Sequence, residues 1–226
     1  MRRALVLLPL LLAPLAGCRQ PEAGAADAAA AVLARGDSAM NRLAYAEAAR
    51  LYGEAAALDP DRAEAYSRQG LALWAAQRFE DAVPVLTRAI TLDSTDARAY
   101  YYRGASYLAL DDFASSVRDL RTATDLGSLD PEDVRRAHHL RAVAYMNLED
   151  YAPAIAAVTD AIESAPEHAF YRLERARLYD FTGRPDEAAE DYAAFLASDG
   201  AAPDLRAEAE RRLAVLRVAP ADSTGG

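Results

Sequence analysis

The sequence predicts an all-α protein built as an array of repeated units, and three observations carry that prediction. Hydrophobic residues make up 52% of the 226, but alanine supplies much of that share and β-branched residues are sparse, which suits closely packed helices better than sheet. Small residues recur at fixed intervals: Gly36, Gly70 and Gly104 are spaced by 34, Ala142 follows 38 later and Ala176 another 34. Other columns keep step with them. Nine residues on stand Tyr45, Phe79, Phe113, Tyr151 and Pro185, and three further Ala48, Ala82, Ser116, Ala154 and Ala188. A sustained period of this length marks an architecture of stacked units.

The first residues stand apart from that rhythm. Met1-Arg2-Arg3 is a short basic start, and Ala4 to Ala16 is an apolar run broken only by Pro9 and Pro14. It falls short of the roughly 20 residues that span a bilayer as a helix, and residues 1–17 read as a secretion signal. The run ends in Leu15-Ala16-Gly17-Cys18, which resembles the signal box of bacterial lipoproteins. That resemblance implies a covalent lipid on Cys18, with Cys18 as the first residue of the mature chain and a membrane as one partner. Cys18 is also the single cysteine of the sequence. Two or more acyl chains hold a protein stably on a membrane where one does so only marginally. Residues 18–28 are expected to form a flexible linker.

From residue 29 the columns resemble the tetratricopeptide repeat in five copies, at 29–62, 63–96, 97–130, 135–168 and 169–202. The resemblance implies two antiparallel helices per unit and a right-handed α-solenoid. Helices that cross at about 8–10 Å need small residues at the crossing, which accounts for the Gly/Ala columns. Four extra residues precede the fourth unit. Asp130-Pro131-Glu132-Asp133 offers an N-cap, a proline for the first helical position and acid for the first turn, so the insertion is expected to add one turn at a helix start. Pro84 falls inside the second helix of unit two and is expected to bend it. Residues 203–218 form a further amphipathic helix, expected to cap the open end of the array, with 219–226 as a disordered tail.

In this family the concave face is lined by offsets of −6, −3, +1 and +4 from the small-residue column. Those offsets select Trp74, Arg98, Tyr101, Leu108, Arg136, His139, Met146 and Arg177 as a partner groove with an apolar, aromatic middle and a few cations. Of the three adjacent tyrosines, Tyr100 is expected in the packing, Tyr101 in the groove and Tyr102 at its rim. Trp, Tyr and Arg dominate binding hot spots, and methionine surfaces repack readily. Two pairs at a spacing of 16, Arg103 with Asp119 and Arg175 with Asp191, are expected to bridge the two helices of their units.

Several chemistries are disfavoured. Without Arg2 and Arg3 the chain carries 23 arginines against 35 carboxylates, a formal charge of −12, which opposes binding to a phosphate backbone. There is no lysine, hence no Schiff-base or phosphate-loop lysine. Neighbouring His138 and His139 point about 100° apart and do not converge on a metal. No nucleophile, base and orienting group come together, so no enzyme, cofactor, metal or nucleic acid is expected. The expected function is a lipid-anchored scaffold or adaptor of the cell envelope, at the outer membrane facing the periplasm, that binds a segment of another protein. Similar lipoproteins with these repeats assist outer-membrane protein insertion, pilus secretins or cell-wall enzymes. The alternative is a structural or self-associating lipoprotein whose groove holds its own terminus.

Overall fold

The computed structural model describes residues 23–198 and 202–218. Within them the chain forms eleven helices and no strand. Five hairpins come first: α1 (Ala23–Asn41) with α2 (Tyr45–Leu58), α3 (Ala63–Ala75) with α4 (Phe79–Leu92), α5 (Ala97–Ala109) with α6 (Phe113–Asp125), α7 (Pro131–Asn147) with α8 (Tyr151–Ser164), and α9 (Phe170–Phe181) with α10 (Pro185–Leu196). A single helix, α11 (Pro203–Val218), ends the described chain. Each helix packs on its neighbours in sequence, which makes the molecule an α-solenoid with a C-terminal helix. The expected signal segment, Cys18 and residues 219–226 lie outside the described residues.

The first helix of every hairpin ends in the same way. Leu43, Gln77, Asp111, Glu149 and Gly183 adopt positive φ, between 56° and 73°. The amide of the next residue reaches back five positions, as in Ala44 N to Ala39 O at 2.9 Å and Arg184 N to Tyr179 O at 2.8 Å. This left-handed cap satisfies carbonyls that the helix end leaves free and reverses the chain within three residues. Only Gly183 takes that conformation without the cost that a Cβ imposes.

The small-residue column marks where the two helices of a hairpin meet. A Cβ placed on Gly70 would lie 2.3 Å from Leu86 Cγ, and one on Gly104 would lie 2.8 Å from Leu120 Cγ. Leu86 and Leu120 are fully buried, so each leucine fills the space its glycine leaves. In unit four the column is Ala142, and the residue 16 later is the smaller Val158, also fully buried.

The four added residues lengthen α7 to 17 residues against 13 in α5. The extra turn lies at the start, where Asp130 accepts a hydrogen bond from Asp133 N at 2.9 Å. Pro84 lies inside α4, which runs on to Leu92. One boundary differs from expectation. Residues 23–28 are not a linker but the opening turns of α1, because the alanine-rich run to Ala31 favours helix more than any other composition does.

Arg103 donates from Nε and Nη2 to Asp119 at 2.6 and 2.9 Å, and Arg175 does the same to Asp191 at 2.7 and 2.9 Å. The remaining Nη1 of each reaches back one unit, to the hydroxyls of Thr87 at 3.1 Å and Thr159 at 3.0 Å. Asp119 and Asp191 are buried. Unit four lacks an acid at the matching position, and Arg141 pairs instead with Asp160, one turn further along α8.

Candidate partner groove

The first helices of the units present the groove. Its centre is an apolar pocket of about 340 Å³ lined by Trp74, Ala75, Phe79, Ala105, Leu108 and Leu140 among others. The Trp74 ring is half-buried and lies 5.2 Å from the ring of Tyr102, which in turn meets Tyr101 edge-on at 4.9 Å. Such tilted aromatic pairs add to what burial alone contributes.

The three tyrosines therefore sort differently from expectation. Tyr101 is 3% exposed and belongs to a core cluster with Leu120, Ala123 and Ala137. The lengthened α7 closes over it, supplying Ala137 and bringing the Asp133 carboxylate near its hydroxyl; burial foremost, and that charge, raise the phenol's pKa. It supports the groove from beneath. Tyr102 shares the pocket's aromatic pair, and burial pushes its pKa up to about 12. The added turn of α7 was readable; that it would cover Tyr101 was not, because it depends on how far α7 tilts over α5.

Tyr102 belongs to a column two positions before the glycine, and this column does more than form a rim. It bridges units. Arg68 in that column binds Asp37 of the preceding unit with Nη1 at 2.6 Å from both carboxylate oxygens, and its Nη2 holds Glu64 at 2.6 Å. Asp37 also accepts the Tyr52 hydroxyl at 2.8 Å. At the other end Arg177 holds Glu208 of α11 through two bonds, 2.9 and 2.7 Å. Asp37 to Arg68 and Arg177 to Glu208 are both 31 residues apart. Between those ionic ends the same column carries Tyr102 and Leu140, so the middle of the groove is apolar and its two ends are pinned by charge.

The remaining candidates fall into place around this plan. Arg177 is spent on Glu208 and on Glu174 at 3.2 Å, so it fastens α11 rather than waiting for a partner. The Arg136 guanidinium pairs within its own helix, with Glu132 and with Asp133 at 3.7 Å. His139 stands 3.5 Å from Glu174 and packs beside Tyr171, with ring centroids 5.3 Å apart. Met146 is half-buried against the core of units four and five. Arg98 is exposed and makes no ion pair among the described residues. His138 turns the other way, with Nδ1 3.7 Å from Asp160, and burial with the nearby Arg141 lowers its pKa. Among the described residues no cluster of three metal-ligating side chains occurs, and no helix is long and apolar enough to cross a membrane.

The end helix α11 does not fill the central pocket. It buries Ala209 and Leu213 in one cluster with Leu173, Tyr192 and Phe195. A second ionic contact, Arg212 to Asp180 at 2.7 Å, holds it beside the last unit. Glu208 stands where a sixth unit would place its bridging residue, so α11 docks as that unit's first helix would.

The Arg177 contact holds the Glu208 carboxyl below its ordinary pKa of 4.5. A depressed carboxyl pKa contributes stability that is present above the unfolded-state value and lost as the pH falls through the folded-state value. Amide protection in α11, relative to that in α2, is expected to drop below about pH 4, and Glu208→Gln should remove that dependence.

A tetratricopeptide repeat profile matches residues 33–97, 67–131, 101–169 and 139–204. The chain belongs to the tetratricopeptide repeat family. No curated protein sequence matches it, whereas solved tetratricopeptide structures share its fold. MamA from Desulfovibrio magneticus is 21% identical, with a TM-score of 0.68 over 80% of this chain and 97% of that one. PilF from Pseudomonas aeruginosa is 18% identical, with a TM-score of 0.65 over 85% and 90%. YrrB, described as a tetratricopeptide protein with an unusual peptide-binding site, is 21% identical, with a TM-score of 0.62 over 73% and 81%. At these identities the likeness is one of fold, and the tetratricopeptide array's own residues have to carry the argument about function.

Proposed function

We propose that this tetratricopeptide protein is an interaction scaffold of the cell envelope, held on a membrane by a lipid on Cys18 and binding a segment of another protein in its groove. The observation that carries the binding half is the open apolar pocket beside Trp74 and Tyr102, set between ionic contacts that are already satisfied. An apolar hollow with a tryptophan at its edge releases water when a side chain enters, and rigid aromatic walls lose little entropy in receiving it. The binding site of YrrB shows that the fold can serve this end. The lipid half rests on Leu15-Ala16-Gly17-Cys18 following an apolar run, and Arg19 after the cysteine fits the outer membrane facing the periplasm.

Two experiments test the halves separately. A photoreactive residue at Leu108, in cells, is expected to yield one dominant band with a different protein. A ladder of self-multiples would instead support self-association, and an empty lane would remove the groove reading. Cys18→Ala is expected to move the protein from the membrane to the soluble fraction, and a variant that stays with the membrane would refute the anchor.

A further inference from the structure

The apolar pocket lies at the edge of the array where the hairpins turn. Trp74 and Ala75 close α3, Gln77 and Phe79 lead into α4, and Leu108 and Ala109 close α5. Charge is unevenly spread along that edge. The turns of units one, two and five each hold one arginine, already taken within its own unit. Arg42 meets Glu47 at 3.4 Å, Arg78 meets Asp81 at 2.7 Å and Arg184 meets Glu187 at 2.7 Å. The turns of units three and four, Leu110-Asp111-Asp112 and Leu148-Glu149-Asp150, hold four carboxylates and no cation.

All four of those carboxylates are exposed. Asp112 accepts from Ser115 N at 3.1 Å, whereas the side chains of Asp111, Glu149 and Asp150 make no hydrogen bond or ion pair among the described residues. They follow the carboxyl ends of α5 and α7, where a helix already presents partial negative charge. The other flank of the pocket does not offset them. A polar hollow of about 510 Å³ there is lined by Glu64, Asp93, Asp96 and Asp130 against Arg68 and Arg98, and Arg68 is spent on Asp37 and Glu64.

We infer that the segment entering the pocket is basic: a large apolar side chain seated beside Trp74 and Leu108, with Lys or Arg next to it over the turns of units three and four. The inference rests on the groove reading above and adds the partner's charge. Asp111 follows Leu108 by three residues, about 4.5 Å along a helix, and an extended chain rises about 3.3 Å per residue. The cation therefore lies one or two residues from the apolar anchor. Exposed charges of this kind select and steer a partner more than they hold it. Neither end of this chain supplies the segment. Ala219 to Gly226 has Asp222 and no cation, and Arg2-Arg3 belong to the stretch removed with the signal.

Selection from a phage-displayed library of random dodecapeptides tests this with the purified protein. The expected result is enrichment of Lys or Arg within two residues of a large apolar residue. Asp111→Asn with Glu149→Gln, two exposed substitutions, should abolish the basic preference and keep the apolar one. The same pair should weaken an isolated basic peptide about three- to tenfold. Glu190→Gln with Glu210→Gln, equally exposed but on α10 and α11, should change neither. Leu108→Asp should abolish selection altogether. Apolar peptides without basic enrichment, or an equal loss in both paired variants, would overturn this inference and leave the groove reading standing. Self-association of the purified protein that Leu108→Asp removes would give the pocket to a second copy and overturn it too. No selected peptide, or peptides indifferent to Leu108→Asp, would overturn both readings.

Discussion

Arg103→Ala is expected to cost about 2–4 kcal/mol, somewhat under the 3–5 kcal/mol seen when a fully buried ion pair loses one partner. The discount reflects side chains still 15% and 10% exposed for Arg103 and Asp119. The loss has three parts. Asp119 is left as a buried carboxylate with two bonds gone. Thr87, in the preceding unit, loses its tie to unit three. Tyr100 and Tyr107, whose ring centroids lie 5.6 and 6.0 Å from the guanidinium carbon, lose a cation over their faces. At this chain length the midpoint of thermal unfolding should fall by about 5–12 °C. The paired change Arg103→Met with Asp119→Leu should recover most of it, since an apolar pair of similar size avoids the desolvation both charges suffer. A loss below about 0.5 kcal/mol for Arg103→Ala would mean that the pair behaves as an exposed one.

Leu86→Ala is expected to cost as much or more, about 2–5 kcal/mol, because Leu86 is fully buried and the helices around it cannot collapse onto the space. Its partner across the hairpin is Gly70. Gly70→Ala alone gains up to about 1 kcal/mol of helix propensity but forces a methyl to 2.3 Å from Leu86 Cγ, an overpacking that costs about 1–3 kcal/mol. In the double variant the new methyl enters the volume that the leucine has vacated. Urea unfolding should therefore show the two changes to be less than additive by at least about 1 kcal/mol. Strict additivity would mean that glycine and leucine do not share one packing site.

The shape of the groove was partly legible in advance, and the reason for the division is physical. Trp74 and Leu108 line the central pocket because an offset from a small-residue column fixes the direction of a side chain on its own helix. Tyr101 was misplaced because its exposure depends on α7, a neighbouring helix, and the offset says nothing about what covers it. Arg177 looked like a free cation for the same reason. Its partner Glu208 lies 31 residues away in α11, and only docking brings them together. The column of Arg68, Tyr102, Leu140 and Glu174 could have been singled out by noticing that it holds charge at its ends and apolar residues in its middle.

By itself the sequence determined what is local and what repeats. The helix pairs of the five units, the added turn at Asp130 and the arginine–aspartate pairs inside a hairpin all follow from propensities and spacings within about 20 residues. The tertiary structure decided which side chains remain free. Freedom belongs to a residue only after every unit has stacked on the next, because each stacking step uses charges and covers rings that the hairpin alone would leave open. That is why Arg98, ordinary in the sequence, stays exposed and without an ion pair among the described residues, whereas Arg177 does not.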